Sequence, residues 1–235
     1  MSKTLIVIEG LDGSGKATQA KLLTNYLKDG LGVAVRQISF PDYESNSSAL
    51  IKMYLAGEFG TKPDDVNAFA ASSFFAVDRY ASFKKDWEKD WKSGIIIADR
   101  YTTSNAVHQC SKLNESEWDG YLDWLFRFEY ELLGIPEPTA VIYLRVEPEV
   151  SRGLLTERYH GDMSKEDIHE KDREYLNRCQ KAAAYCSQKL GWLEINCTED
   201  GAMRPIHAIQ DDIQNGIRSL FQNDSGSFVK ITSDD

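Results

Sequence analysis

Short apolar runs alternate with stretches of helical spacing along most of the chain, and the two patterns predict different elements. The apolar and β-branched runs predict five strands, at residues 4–9, 33–40, 94–99, 139–146 and 192–197. Helical spacing of apolar side chains covers residues 17–29, 47–56, 64–91, 118–133 and 168–190. Alternation of this kind builds βαβ units with right-handed crossovers. We therefore expect an α/β fold, a three-layer α/β/α sandwich with a five-stranded parallel sheet.

The length of the chain fits a single domain. With 235 residues and 42% hydrophobic content, it can bury a full core. We assign residues 1–222 to one domain and residues 223–235 to a polar C-terminal tail, where fraying is expected.

The charge and the cysteines restrict the partners and the compartment. A formal net charge of -10 repels phosphodiester polymers and anionic lipid, so we predict no nucleic-acid and no membrane partner. A small phosphorylated ligand remains compatible with this charge, because a local nest of backbone N–H groups can bind it. The four cysteines form no CxxC pair, which is typical of free thiols in a reducing compartment and predicts a cytoplasmic location.

A glycine-rich loop, Gly10-Leu11-Asp12-Gly13-Ser14-Gly15-Lys16, joins the first strand to the first helix. This is the context that a P-loop requires, since its glycines let successive N–H groups point at phosphates and its lysine bridges the outer ones. The alternative is a glycine-rich turn with an exposed lysine. We predict a P-loop NTPase fold that binds ATP. The expected ATP-binding residues are Gly10, Asp12, Gly13, Ser14, Gly15, Lys16, Ala17 and Thr18.

The residue after the P-loop lysine departs from the pattern. Ala17 stands where a Ser or Thr hydroxyl usually contacts Mg²⁺, and Thr18 lies about 100° further round the helix. We expect Thr18 to meet a phosphate oxygen. Asp99, at the end of the third strand, is the candidate Mg²⁺ group, acting through bound water, although it could simply cap the next helix.

Together with the P-loop, four further segments resemble thymidylate kinases. The third strand ends in Asp99-Arg100-Tyr101 with Ser104 three residues beyond, and Phe75-Ala76-Val77-Asp78-Arg79 is similar to a helical segment of that family. Phe40-Pro41 resembles the turn after the second strand, and Glu157-Arg158-Tyr159 resembles the lid, which we place at approximately residues 151–168. The resemblance covers roughly residues 3–192.

The resemblance implies a role for each matching residue. Phe75 would face the thymine ring and Arg79 would recognise its O4, whereas core packing with a snorkelling arginine is the alternative. Arg100 would clamp the acceptor phosphate, and Asp12 would hold the sugar 3′-hydroxyl. The other implied substrate contacts are Phe40, Pro41, Ser104, Gln109 and Tyr159. A solvent-exposed side chain is the alternative for Gln109.

Two positions differ from many members of that family. His108 stands where many relatives place Tyr or Phe against the deoxyribose, so the resemblance does not imply strict discrimination against a ribose 2′-hydroxyl. We interpret His108 as a packed or hydrogen-bonded ring. Tyr43 occupies the place of a phosphate-binding arginine in some relatives, which leaves more of that work to Arg100.

The implied reaction needs positive charge more than it needs a base. Its acceptor is a phosphate oxygen that is already anionic, while charge on the transferred group is stabilised by Mg²⁺, Lys16 and arginines. Because the P-loop position that carries an arginine in some relatives is Gly13 here, we expect the lid to supply one, first Arg158 and second Arg152. The alternative for both arginines is a solvated helix face.

The resemblance therefore implies a thymidylate kinase that transfers the γ-phosphate of ATP to dTMP, giving dTDP and ADP in dTTP synthesis, as a homodimer. One rival is a deoxynucleoside kinase, for which Asp42 or Glu44 could be the carboxylate base. Another is a nucleotide-binding regulator with weak turnover, favoured only by Ala17.

Overall fold

A computed structural model describes residues 3–160, 162 and 166–221, without the side chains of Arg158, Leu220 and Phe221. The polar tail at 223–235 and the lid positions 161 and 163–165 lie outside the described residues.

Five parallel strands form the central sheet, as the sequence predicts. They are β1 (Thr4–Glu9), β2 (Val35–Ser39), β3 (Ile95–Asp99), β4 (Ala140–Arg145) and β5 (Leu193–Asn196). The order across the sheet is β2-β3-β1-β4-β5, and every neighbouring pair is parallel. The five-stranded parallel sheet is therefore confirmed. A separate two-stranded hairpin follows, β6 (Thr198–Glu199) and β7 (Ala202–Met203).

Helices connect the strands and cover both faces of the sheet. They are α1 (Lys16–Asn25), α2 (Ala49–Leu55), α3 (Ala68–Ser82), α4 (Glu88–Ser93), α5 (Thr102–Cys110), α6 (Trp118–Phe126), α7 (Pro148–Arg158), α8 (Ile168–Lys171), α9 (Arg173–Lys189) and α10 (Ile206–Phe221). Single 3₁₀ turns lie at Asn46–Ser48, Pro63–Asp65 and Glu115–Glu117, and π-helical turns at Tyr26–Gly30, Phe83–Trp87 and Arg127–Leu132. The π turns extend α1 and α6 and join α3 to α4, so these helices follow the predicted stretches closely.

Two features of the C-terminal half differ from the pattern. The single helical stretch expected at 168–190 is two helices, because Asp172 leaves helical conformation and its side chain accepts the Tyr175 N–H at 2.9 Å as an N-cap. Helix α10 was not predicted, although Ile209, Ile213 and Ile217 repeat every four residues and are buried.

The core explains why β1 is apolar throughout. Ile6 and Ile8 pack with α1 and α10 on one face, while Leu5 and Val7 pack with Trp87 on the other. A third cluster joins α5, α6 and α9. These layers confirm the α/β/α sandwich.

The register of the sheet brings the motifs together. Ile8 of β1 lies opposite Asp99 of β3, so the P-loop and Arg100 leave the sheet at the same carboxyl edge.

All four cysteines are free thiols, as expected, and they are buried. Among the helices of the described residues, none combines the length and the apolar content needed to cross a lipid bilayer.

Candidate functional site

The P-loop is held in the shape that a phosphate cradle requires. Gly13 and Gly15 adopt left-handed conformations, with φ of 77° and 82°, and Gly15 is the N-cap of α1. Lys16, the first residue of α1, is buried, and its Nζ donates to the Leu11 carbonyl at 2.8 Å. The hydroxyl of Ser14 is buried without a hydrogen-bond partner among the described residues. Such an arrangement of N–H groups, hydroxyl and ammonium fits an anion.

Helix α7 lies directly against the P-loop. The hydroxyl of Ser151 donates to the backbone carbonyl of Asp12, and a Cβ added at Gly13 would come within 2.5 Å of the Ser151 carbonyl oxygen. Glycine is therefore required at position 13 by both its conformation and its surroundings.

A cleft of about 1850 Å³ opens over the P-loop, and we call it the phosphate cleft. Its lining includes Gly13, Gly15, Lys16, Ala17, Thr18, Asp99, Arg100 and Tyr159. Burial lowers the pKa of Lys16 to about 8, an effect that Arg100 reinforces and that Asp12 opposes. An anionic ligand in this cleft would favour the charged form of Lys16.

Arg100 connects the P-loop to α5. Its Nη2 donates to Asp12 Oδ1 at 2.6 Å, and its Nη1 donates to the Ser104 hydroxyl at 3.2 Å. Burial alone would lower the pKa of Arg100, but the charges of Asp12 and Glu9 raise it. The same pairing holds the pKa of Asp12 well below its usual range, against the effect of burial. Both groups are therefore charged at neutral pH.

Glu9, which was not predicted from the sequence as a site residue, also contacts Arg100. Its side chain is buried, and its Oε2 accepts the hydroxyls of Thr103 at 2.7 Å and Ser104 at 2.8 Å. Its Oε1 lies 3.5 Å from Arg100 Nη1. Arg100 itself has a φ of 66°, so the chain turns sharply here and its side chain returns to the loop. A lone Glu before the first glycine was the available signal, and it is ambiguous by itself.

A second cavity, of about 560 Å³, adjoins the phosphate cleft; we call it the inner cavity. Both spaces are lined by Asp12, Phe40, Pro41, Tyr43 and Arg100. The inner cavity is also lined by Phe75, Arg79, Ser104, Asn105, His108, Gln109 and His169. The structure thus gathers nearly every residue that the sequence nominated for substrate binding around one nucleotide-sized space.

Helix α3 presents Phe75 and Arg79 to this cavity one turn apart. Phe75 is half-buried and makes an edge contact with Tyr54, with ring centroids 6.3 Å apart. Arg79 is buried and forms a bidentate ion pair with Glu129. It is therefore not a snorkelling arginine. Burial opposes its charge, but Glu129 raises the pKa of Arg79.

Gln109 is fully buried, and neither its amide nitrogen nor its amide oxygen has a hydrogen-bond partner among the described residues. This burial excludes the alternative of a solvent-exposed glutamine. Because an unpartnered buried amide is costly, its place in the wall of the inner cavity favours contact with a ligand or ordered water.

His108 is a buried, hydrogen-bonded ring, as interpreted from the sequence. Tyr175 donates its hydroxyl to the His108 carbonyl, so its oxygen accepts from Nδ1 of the same histidine at 3.1 Å. The Nε2 of His108 is then the acceptor that faces Arg100 Nη1 at 3.4 Å. The ring stacks on His169 at 5.4 Å, and burial lowers the pKa of His108 to about 3.

Asp99 lines the phosphate cleft beside Lys16. Its Oδ1 is buried and has no partner among the described residues, and burial raises the pKa of Asp99 against the opposing charges of Lys16 and Arg100. A hard carboxylate oxygen with unused capacity fits a Mg²⁺ ion held through water. In the described part of the chain, no group of three or more His, Cys, Asp or Glu side chains could hold a metal by itself.

The lid residues are distributed over two spaces. Tyr159 lines the phosphate cleft, and its hydroxyl contacts Glu170 Oε2 at 2.9 Å. Arg158 ends α7, but its side chain lies outside the described residues. Arg152 is exposed and lines a third cavity of about 820 Å³ behind the P-loop, not the phosphate cleft.

Tyr43 lies in the loop after β2. The same loop contains Asp42 and Glu44, the candidate bases if the protein were a deoxynucleoside kinase. Asp78 of α3 accepts the Asp42 N–H at 2.8 Å and the Ser47 hydroxyl at 2.6 Å, which anchors this loop. Tyr43 lines both spaces, whereas neither Asp42 nor Glu44 lines either of them. A role for Asp42 or Glu44 as a base is therefore not supported.

Comparison with known proteins agrees with this geometry. The thymidylate kinase family model matches residues 8–213. Thymidylate kinase of Mycobacterium tuberculosis (strain H37Rv) is 30% identical over 190 residues, covering 80% of this chain and 87% of that protein. Human thymidylate kinase is 25% identical over 231 residues, covering 96% and 97%. A thymidylate kinase structure from Candida albicans, 19% identical, shares the fold with a TM-score of 0.67 over 97% of this chain and 96% of its own. The chain therefore belongs to the thymidylate kinase family, a family of nucleoside monophosphate kinases.

Proposed function

We propose that this protein transfers the γ-phosphate of ATP to dTMP, giving dTDP and ADP in dTTP synthesis. The observation that carries the proposal is the junction of the phosphate cleft with the inner cavity at Asp12 and Arg100. A donor on the P-loop and a nucleoside monophosphate in the inner cavity would bring their phosphates together at this junction. Membership of the family supports the choice of substrates.

The chain's own residues supply charge and orientation. Arg100 would bind the acceptor phosphate, since a planar guanidinium can donate two parallel hydrogen bonds to it. Asp12, already paired with Arg100, would hold the sugar 3′-hydroxyl. Lys16 would stabilise the outer phosphates of the donor. Phe75 would stack on the base, and Arg79, Gln109 and Ser104 would complete the acceptor site.

The proposed metal is Mg²⁺, which Asp99 would hold through bound water. When bound, Mg²⁺ would neutralise charge on the β- and γ-phosphates. Ala17 offers no hydroxyl to the ion, so Ala17→Ser should lower the Mg²⁺ concentration needed for half-maximal activity. An unchanged requirement in a Mg²⁺ titration would count against this assignment.

A coupled assay for ADP release tests the proposed reaction. The acceptors are dTMP, dUMP, UMP, CMP, AMP and thymidine, each with ATP and Mg²⁺. We expect dTMP to have the highest kcat/KM. Turnover of thymidine without turnover of dTMP would make the protein a nucleoside kinase, and no turnover with any acceptor would favour a regulator.

The proposed assembly is a cytoplasmic homodimer. Helix α3 exposes Phe69, Val77 and Tyr80, which recur at helical spacing and are each at least 40% exposed. In the dimer, a second copy of the chain would cover this apolar face. The cytoplasmic location is proposed because buried free thiols suit a reducing compartment. Sedimentation of the wild type and of Val77→Glu should give a dimer and a monomer, respectively; a monomeric wild type would contradict the dimer.

A further inference from the structure

The side chain behind Arg79 belongs to Glu129, in the π-helical turn that follows α6. Glu129 is 0% exposed and Arg79 is 1% exposed, so the pair is fully removed from water. Glu129 does not line the inner cavity, whereas Arg79 does. Any effect of Glu129 on a ligand must therefore pass through the residues that it holds.

Both carboxylate oxygens of Glu129 are fully used. Oε2 accepts Arg79 Nε at 2.7 Å and the Thr102 hydroxyl at 2.8 Å. Oε1 accepts Arg79 Nη2 at 2.5 Å and Asn105 Nδ2 at 3.3 Å. A bidentate pair of this kind fixes the plane of the guanidinium as well as its position. Among the described residues, the remaining nitrogen of the fork, Nη1, has a single hydrogen-bond partner, the Tyr101 carbonyl at 3.4 Å.

The same carboxylate fixes the orientation of an amide. Asn105 Nδ2 donates to Glu129 and also to the Ser72 carbonyl at 3.2 Å. A flipped amide would place its oxygen against these two acceptors, so Oδ1 is held on the opposite side of the amide. Asn105 lines the inner cavity with its Oδ1 unused by the described residues.

We infer that Glu129 is a positioning residue that sets base selectivity, by holding Arg79 as a donor and Asn105 as an acceptor. This inference rests on the proposed function, since it assumes that a pyrimidine nucleotide occupies the inner cavity. A base with a carbonyl at C4 and an N–H at N3 complements the pair. A 4-amino pyrimidine offers the reverse pattern, which leaves buried polar groups unpaired and is discriminated against strongly.

The test compares Glu129→Gln with Glu131→Gln in the full-length protein. Glu131 lies two residues away and is exposed, and within the described part of the chain its ion pair is a 3.9 Å surface contact with Arg127, so its substitution is the matched control. The readouts are kcat and KM for dTMP and dCMP, KM for ATP, and dTMP binding by calorimetry. Thermal unfolding verifies that each variant is folded.

For Glu129→Gln we expect KM for dTMP to rise about tenfold or more, with kcat within about threefold and KM for ATP unchanged. The preference for dTMP over dCMP, as a ratio of kcat/KM, should fall by about tenfold or more. Glu131→Gln should match the wild type. An unchanged ratio in Glu129→Gln, or a loss shared equally by ATP and dTMP, overturns the inference.

A second variant decides the matter if Glu129→Gln does not fold. Thr102→Val removes one hydrogen bond to Oε2 while leaving the ion pair in place. It should lower the dTMP preference in the same direction by a smaller factor, and an unchanged ratio overturns the inference. Failure of the proposed function is distinct, because it is seen in the wild type as an absence of dTMP turnover.

Discussion

Arg100 Nη2 lies 2.6 Å from Asp12 Oδ1, and this ion pair stands at the boundary between the phosphate cleft and the inner cavity. The two residues come from adjacent strands of the sheet, β1 and β3, through the loops that follow them. Their pairing orients the guanidinium before any ligand enters. Preorganised charge of this kind costs little reorganisation during phosphoryl transfer.

Replacing Arg100 by lysine should therefore impair the enzyme although the charge is kept. Lysine cannot make the fork that reaches Asp12 and Ser104 together, and we expect kcat/KM for dTMP to fall by about 100-fold. Steady-state kinetics with varied dTMP measures this loss. Arg36→Lys, at a surface ion pair with Asp90, is the control and should retain wild-type values. A fall of less than about threefold in Arg100→Lys would show that charge alone suffices.

The affinity for ATP should depend on the protonation of Lys16. Its pKa of about 8 in the free protein lies below the ordinary lysine value, and bound phosphates would raise it. Affinity should change little just below pH 8 and then fall by up to about tenfold per pH unit above it, because binding then requires uptake of a proton. Calorimetric titration of ATP between pH 7 and 9.5 measures this dependence.

A second buried lysine provides the control for that titration. Burial also lowers the pKa of Lys112 to about 8, but this side chain contacts Tyr54 and Val66, away from the P-loop. Lys112→Met should keep the alkaline inflection in ATP affinity. Loss of the inflection in Lys112→Met would show that Lys112 causes it, and would contradict its assignment to Lys16.

Gly13 and Gly15 allow conformational strain to be separated from steric collision. Both have positive φ, but only at position 13 would a Cβ meet backbone, at 2.5 Å from the Ser151 oxygen. We expect Gly15→Ala to lower the free energy of unfolding by about 1 kcal/mol and Gly13→Ala by about 2–3 kcal/mol. Urea unfolding compares the two variants. Equal losses would mean that α7 moves away from the loop freely.

Kinetic measurements can distinguish Arg158 from Arg152 as the lid arginine that acts on the transferred phosphate. Arg158→Ala should lower kcat by about 100-fold or more while each KM stays within about threefold, because a charge that acts on the transferred group stabilises the transition state selectively. Arg152 lines a different cavity, so Arg152→Ala should have a smaller effect. A normal kcat in Arg158→Ala together with a large loss in Arg152→Ala would move the role to Arg152.

The sequence predicted the parts of the site that are local and left out those formed by distant contacts. The P-loop and Arg100 could be found because motif, strand and helix are contiguous. Glu129 lies 50 residues from Arg79, and nothing in its own segment distinguishes it from neighbouring acidic residues. Its pairing depends on how α3 and α6 pack, which periodicity alone does not determine.

Contacts between distant residues also determine which polar side chains are buried, and the sequence pattern did not predict these contacts. Helical spacing did not predict α5, so the sequence did not distinguish a solvent-facing Gln109 from a buried one. The acceptor role of His108 required the tautomer, and that depends on Tyr175, 67 residues away. The α10 helix, in contrast, could have been predicted from its isoleucine repeat.

The buried histidine should make the protein sensitive to acid. The folded-state pKa of His108 is about 3 and the unfolded-state value is about 6.5, so the unfolded chain takes up protons first as the pH falls. Stability attributable to this residue is therefore intact above pH 6.5 and is lost progressively below it. At pH 5 the loss should be about 2 kcal/mol, from about 1.4 kcal/mol per pH unit.

Urea unfolding at pH 7 and pH 5 tests this through a difference between proteins. Burial also lowers the pKa of His169, which stacks on the His108 ring, and raises the pKa of Asp167 to about 6, so the wild-type slope contains more than one titration. His108→Gln keeps a hydrogen-bonding side chain without a titrating ring, and it should reduce the loss between the two pH values by about 2 kcal/mol. His207→Gln, at an exposed position, should leave the loss unchanged. If His108→Gln is as acid-sensitive as the wild type, the ring is not kept neutral by burial, and its role as an acceptor for Arg100 fails with it.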